Sequence, residues 1–186
     1  MFNRHNKHYY SQTNLQLTLP VRNQVRFGFN VWCGIINNRL IGPIIFNGSL
    51  TGQRYLSFLQ QEIEDLIEEL PLETTRQMWL QQDGCPSHNT RAVMDYLNEQ
   101  FNERVIATNG TVRWPARSPD LAPCDTFLWG TVKNKVYGPT YNNVEELQEA
   151  VLEAFHSING NTIRKVINSV QKRCQLCIEN NGGLFE

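Results

Sequence analysis

Three short stretches of this 186-residue sequence gather side chains that could do chemistry. Gln82-Asp83-Gly84-Cys85-Pro86-Ser87-His88 brings a carboxylate, a thiol, a hydroxyl and an imidazole together. Trp114-Pro115-Ala116-Arg117-Ser118-Pro119-Asp120-Leu121-Ala122-Pro123-Cys124-Asp125 is a proline-punctuated run with acids at 120 and 125. Cys174-x-x-Cys177 has the spacing of a zinc half-site or a redox pair. Asp83 follows Met78 to Gln82, a run that reads as a short buried strand, and α/β sheets place ligand groups at the carboxyl ends of strands. Asp125 stands at the predicted start of a helix. Singly, Asp83 and Asp120 read as turn residues and Asp125 as a helix cap. Together, these three acids allow a carboxylate–metal site. Mg²⁺ takes oxygen ligands and keeps room for water and phosphate oxygens.

The other candidates have simpler readings. Ser87-His88 beside Asp83 contains the parts of a hydrolase triad, but no Gly-x-Ser-x-Gly elbow surrounds the serine, which reads as a helix N-cap. Cys33, Cys85 and Cys124 lack the spacing to complete a zinc site with Cys174 and Cys177. Both of those thiols continue an apolar helical stripe, where free cysteine behaves as a small hydrophobe. His5 and His8 lie in a polar terminus and read as solvent-exposed.

The elements that must position these residues follow from periodicity. Phe27 to Ile36 alternates large apolar with small or polar residues, Asn37-Asn38 tolerates positive φ, and Leu40 to Phe46 reads as the return strand of a hairpin. Thr51 predicts an N-cap for one helix carrying Leu56, Leu59, Ile63, Leu66 and Leu70. A helix from Ser87 to about Phe101 is expected to bury Ala92, Val93, Tyr96 and Leu97. Arg104–Ala107 and Thr111–Trp114 suggest one strand interrupted by Asn109-Gly110. Helix is expected again from Asp125 to Val136, from an Asn143/Glu146 capping box onward, and along Ile163, Ile167, Val170, Cys174 and Cys177. Strands first, then strands alternating with helices, then helices predict one α/β domain.

Composition narrows the class. Nine Phe, six Tyr and four Trp exclude a disordered tail or low-complexity linker. No apolar run reaches the ~18 residues of a membrane helix, and the first residues lack a signal peptide's apolar core. Five cysteines at scattered positions fit reduced thiols, so an intracellular, non-secreted protein is expected. The net charge of −1 gives no sign of nucleic-acid binding, but it hides an asymmetry. Residues 1–61 hold six basic side chains and no Asp or Glu, whereas Glu62 to Glu73 holds six acids.

The Gln82–His88 and Trp114–Asp125 stretches, with Phe127-Leu128-Trp129-Gly130, resemble mariner/Tc1-type transposases. Asn3-Arg4-His5-Asn6, Val31-Trp32-Cys33-Gly34, Ile41-Gly42-Pro43 and Asn181-Gly182-Gly183-Leu184-Phe185-Glu186 are similar too, so the resemblance runs along essentially the whole chain. It implies an RNase H-like α/β fold, a mixed sheet flanked by helices, carrying a DDE/DDD endonuclease site. It further implies Mg²⁺ or Mn²⁺ as cofactor, transposon-end DNA as partner, a homodimer, and DNA transposition and integration in the nucleus. Asp83 matches the family's second catalytic aspartate and Asp125 its third, both metal ligands, while Asp120 does not match. His88 falls at a recurrent position where a positioning role is expected, and Cys85 stands where the family often has Ala.

The family's first aspartate precedes the Asn-Arg-His-Asn segment, which here begins at Asn3 with no acid before Glu62. Residues 1–186 are therefore expected to form one catalytic domain, N-terminally truncated. It would lack the first catalytic aspartate, the first central strand and the helix-turn-helix DNA-binding domain, with cleavage impaired. The alternative is an inactive or host-adopted transposase remnant that binds nucleic acid or protein, using the basic first 61 residues.

Overall fold

The computed structural model describes residues 28–115 and 118–183. The expected strand start at Phe27, His5, His8, the Asn3–Asn6 segment, Ala116, Arg117 and Leu184–Glu186 lie outside the described residues.

The hairpin forms as its alternation predicts. β1 (Phe29–Ile36) pairs antiparallel with β2 (Arg39–Asn47), and Asn37 at the turn takes φ 53°, a left-handed conformation that asparagine tolerates. Side chains along a strand point alternately to opposite faces, and the hairpin uses both. Trp32, Ile44 and Phe46 pack into a cluster with Tyr55, Phe58, Leu59, Val93 and Leu97. Phe29, Val31, Cys33, Ile35 and Leu40 pack against Leu128, Val132, Val151 and Phe155. The hairpin is thus the shared wall between two apolar cores.

The first core is built by α1 (Gly52–Gln61), α2 (Ile63–Glu68) and α4 (Arg91–Gln100), with α3 (Leu72–Gln77) following α2. Thr51 caps α1 as expected, its hydroxyl accepting from the Arg54 amide at 3.3 Å. The single helix expected from Thr51 through Leu70 is divided, because the backbone leaves helical geometry at Glu62 and restarts at Ile63. Leu59 and Ile63 still both reach the core. α4 begins after Thr90 rather than Ser87. Ser87 is buried within the preceding turn, where its hydroxyl lies 3.1 Å from the Cys85 sulfur and is not free to cap. Within α4 the buried residues are Val93, Met94 and Leu97, while Ala92 faces solvent.

β3 (Leu80–Gln81), β4 (Val105–Ala107) and β5 (Val112–Arg113) form a second sheet in the order β3-β4-β5, both pairings parallel. The single interrupted strand expected across 104–114 is two neighbouring strands, because the chain doubles back through Gly110 so that Ile106 pairs with Val112. A Cβ on Gly110 would stand 2.6 Å from the Val105 carbonyl oxygen and 2.8 Å from the Ala107 nitrogen. Gly110→Ala is therefore expected to destabilise the chain by about 1–3 kcal/mol in urea unfolding, since β4 backbone must move to admit a methyl. Gly28→Ala, with open space around it, serves as a neutral control. The described strands form two small sheets rather than one continuous mixed sheet, and no described strand bridges β1 and β3.

The second core is formed by α5 (Trp129–Val136) and α6 (Val144–His156). Asn143 caps α6 by accepting from the Glu146 amide at 2.8 Å, and the Glu146 carboxylate returns to the Asn142 amide, a capping box shifted by one residue. α7 (Gly160–Glu179) buries only Ile163 fully; Ile167, Val170, Cys174 and Cys177 are half-buried. No helix of the described residues is long and apolar enough to cross a membrane.

Candidate metal centre

Asp83 lies just beyond the carboxyl end of β3, the position that parallel sheets give to ligand-binding groups. The ladder continues to Gln82, whose amide donates to the Ile106 carbonyl at 3.0 Å. The turn from Asp83 to Asn89 is tied down from several sides. Asp83 Oδ1 accepts from the Cys85 amide at 3.1 Å, and Asn89 Nδ2 donates to the carbonyls of Asp83 (3.0 Å) and Cys85 (2.9 Å). Gln82, buried, donates through Nε2 to the His88 carbonyl at 2.9 Å and accepts from the Tyr55 hydroxyl at 3.2 Å.

His88 Nδ1 lies 2.7 Å from Asp83 Oδ1. The His88 ring also rests against Tyr55, with centroids 4.5 Å apart. That hydrogen bond from His88 is the main reason the Asp83 carboxyl is held below its usual range, with the Cys85 amide also lowering it and partial burial opposing. An ionised carboxylate only accepts, so the shared proton resides on Nδ1. Asp83 and His88 thus meet within one turn. Ser87 does not join them as a nucleophile, because its hydroxyl is engaged with the Cys85 sulfur.

Asp125 comes from a different element. After a 3₁₀ turn at Pro119–Leu121, Cys124–Leu128 forms a π-helical turn that runs directly into α5. π-helical turns inside helices are frequent at functional sites. Asp125 thus lies within a continuous helical run rather than at its cap, which is Pro123. Its carboxyl is pushed up, first by partial burial and then by the negative charge of Asp83, while Lys133 opposes the rise. Cys124 senses both acids: burial, then Asp125, then Asp83 push its thiol up to about 12. The same sulfur points at the Cys33 carbonyl, 3.8 Å away, anchoring the turn to β1. Two carboxylates separated by 41 residues are brought within electrostatic reach of one another.

The remaining candidates do not enter the site. Asp120 sits in the 3₁₀ turn, where its backbone carbonyl accepts from the Arg173 guanidinium. Cys174 and Cys177 are free thiols on α7 and join no metal-capable group of three among the described residues. The groups that sequence reasoning left without a role are Tyr55, Gln82 and Asn89, which hold the Asp83 turn. A glutamine directly before the aspartate, in a run read as buried, was the one signal for them.

No protein-family model matches the chain. Among curated proteins it is 25% identical over 154 residues to the Tc3 transposable-element transposase of Caenorhabditis elegans, covering 82% of this chain and 44% of that protein. It is 29% identical over 133 residues to the Tc1 transposase of the same organism, covering 66% and 46%. The chain's homologues are transposases of the Tc1, Tc3 and mariner kind. It spans about half the length of the curated relatives it matches. The catalytic domain of the Mos1 mariner transposase (Drosophila mauritiana) superposes with a TM-score of 0.67 at 21% identity, over 85% of this chain and 82% of that one. The pre-cleavage Mos1 transpososome does so at 0.77 and 20%, over 97% and 52%. The fold is accordingly the RNase H-like α/β fold of that catalytic domain. Solved Mos1 structures include complexes with Mg or Mn, paired-end complexes and a strand transfer complex.

Proposed function

We propose that this chain is catalytic machinery of a cut-and-paste DNA transposase, in which Asp83 and Asp125 hold Mg²⁺ or Mn²⁺ for cleavage and joining of transposon-end DNA. The observation that carries this reading is that the carboxylates of the turn after β3 and of the π-helical turn lie close enough for the Asp83 charge to add to burial in raising Asp125. Mg²⁺ is usually held by one or two carboxylates together with substrate phosphates. The donor set fits that habit, and a cation held by these acids would offset the Asp83 charge that, after burial, lifts Asp125. When bound, such an ion stabilises charge on phosphoryl oxygens and activates an attacking hydroxyl. The chain's own contribution is to keep Asp83 ionised through His88, and to fix His88 between Asp83 and the Tyr55 ring. A homodimer acting on two transposon ends in the nucleus is part of this proposal, and the paired-end complexes solved for the Mos1 relative are in keeping with action on two ends.

Residues 1–61 supply no carboxylate, and Asp83 and Asp125 are the two acids of the candidate site among the described residues. The 186-residue chain alone is therefore expected to nick supercoiled plasmid in Mn²⁺ little above an EDTA control. Robust nicking abolished by Asp83→Ala would refute the need for a further acid while supporting the site. The discriminating measurement is Mn²⁺ binding by electron paramagnetic resonance, which should be lost in Asp83→Asn and in Asp125→Asn. No Mn²⁺ binding, with affinity for duplex DNA and its salt slope unchanged by either substitution, would instead favour a non-enzymatic nucleic-acid-binding module.

A further inference from the structure

Cys85 takes no part in the proposed chemistry, yet its thiol lies in the same turn as Asp83 and His88. One ligand atom from each of Asp83, Cys85 and His88 falls within 4.8 Å of the other two, the one such metal-capable group among the described residues. A carboxylate, a thiol and an imidazole are a donor set for zinc-class ions rather than for Mg²⁺, because sulfur and imidazole nitrogen are softer ligands than oxygen. Three protein ligands on Zn²⁺ leave a fourth tetrahedral position for water.

The turn is built to hold these donors. Asn89 clamps the carbonyls of Asp83 and Cys85, Gln82 clamps that of His88, and the Tyr55 ring backs the imidazole. All three donors reach solvent: Asp83 and His88 side chains are 53% and 18% exposed, and Cys85 is half-buried. Little movement is needed. The Asp83–His88 contact of 2.7 Å would open toward the ~3.3 Å that separates two ligands on tetrahedral Zn²⁺ with ~2.0 Å bonds. The Cys85 sulfur would exchange its contact with the Ser87 hydroxyl for the metal, passing its thiol proton to solvent, and His88 would release its Nδ1 proton to solvent and carry its remaining proton on Nε2.

We propose that the Asp83–His88 turn binds one zinc-class ion through Asp83, Cys85 and His88, and that this ion competes with a hard cation for Asp83. The binding rests on these three residues alone; the competition rests on the reading under Proposed function. The probe is Co²⁺ added to the metal-free full chain, which reports thiolate ligation by a near-ultraviolet charge-transfer band and tetrahedral geometry by visible absorption. One equivalent with both signatures is expected. Cys85→Ser should lose the charge-transfer band, and the Cys174→Ser/Cys177→Ser double variant should keep it. His88→Asn should weaken Co²⁺ at least about tenfold, the scale on which such sites lose affinity when a supporting group is removed. Circular dichroism establishes that each variant is folded. Absence of the band in the wild type, or its persistence in folded Cys85→Ser, overturns the proposal. Zn²⁺ should displace both the Co²⁺ signal and bound Mn²⁺. A cobalt band without any Mn²⁺ binding would leave the zinc-class site standing and remove the hard-cation reading; Mn²⁺ binding without the band would do the reverse.

Discussion

Asp125→Asn is expected to raise the thermal midpoint of the metal-free chain at pH 7 and to abolish the further rise that Mn²⁺ gives the wild type. The Asp125 carboxyl is lifted by burial and by the charge of Asp83, so the folded state disfavours its ionised form. A carboxyl whose folded pKa is raised contributes stability at low pH and loses it as pH rises through that folded value. Neutral asparagine escapes the loss. The variant's advantage should therefore be present above the carboxylate range and vanish on acidification below both folded and unfolded values. Asp83→Asn should behave oppositely without metal. Its folded pKa is depressed chiefly by His88, so the wild-type carboxylate contributes stability above its unfolded value, which is lost as pH falls through the folded one. Both acids reach solvent, so these metal-free differences are small. The metal term is larger. An ion that binds only the folded chain stabilises it by about 2.7 kcal/mol at one hundred times its dissociation constant. For a chain of this length that corresponds to roughly 5–10 °C. Either substitution should erase it. Opposite signs in EDTA and the same sign in Mn²⁺ would separate a metal pair from two unrelated surface acids. Scanning fluorimetry across pH, with and without the ion, measures both.

The elements legible in the sequence are those whose signals are local. β1 and β2 alternate with period two around an asparagine turn, and α6 announces itself through Asn143 and Glu146, so both appear where the pattern places them. What was not legible depended on packing and backbone geometry that residue type and periodicity do not encode. Ser87 is a good N-cap by type, but burial beside Cys85 gives its hydroxyl another partner and passes the helix start to Thr90. The break at Glu62 lies inside an unbroken apolar stripe, which periodicity alone carries straight through. The parallel pairing of β4 with β5 depends on how closely backbone approaches Gly110, a distance no residue pattern encodes. The site divides the same way. Asp83 and His88 share one turn five residues apart, so their contact is local. Asp125 comes within electrostatic reach of Asp83 through the π-helical turn and its anchor on Cys33, a tertiary arrangement that no local pattern encodes.

Phe58→Ala should have the largest effect on stability of any substitution considered for this chain. Phe58 is 2% exposed and sits where α1 meets the hairpin. Its ring centroid lies 4.7 Å from Trp32 of β1, 5.5 Å from Phe46 of β2 in a perpendicular arrangement, and 6.0 Å from Tyr55 one turn earlier. Truncation removes the transfer free energy of the ring and leaves a cavity walled by three aromatic side chains that cannot all collapse inward, a loss of about 3–5 kcal/mol. The thermal midpoint should fall by roughly 6–20 °C. Phe58→Leu, which refills much of the volume, should recover more than half of that. The consequence reaches the site because Tyr55 holds both the Gln82 side chain and the His88 ring. A Tyr55 no longer braced by Phe58 gains freedom, and the Asp83–His88 pair loses the wall that fixes it. Mn²⁺ affinity measured well below the variant's midpoint should therefore weaken in Phe58→Ala, although Phe58 is not among the residues that would hold the ion. A variant that is much less stable but binds Mn²⁺ as tightly as the wild type would show that the turn's own hydrogen bonds, through Asn89 and the Cys85 amide, suffice to place the carboxylate.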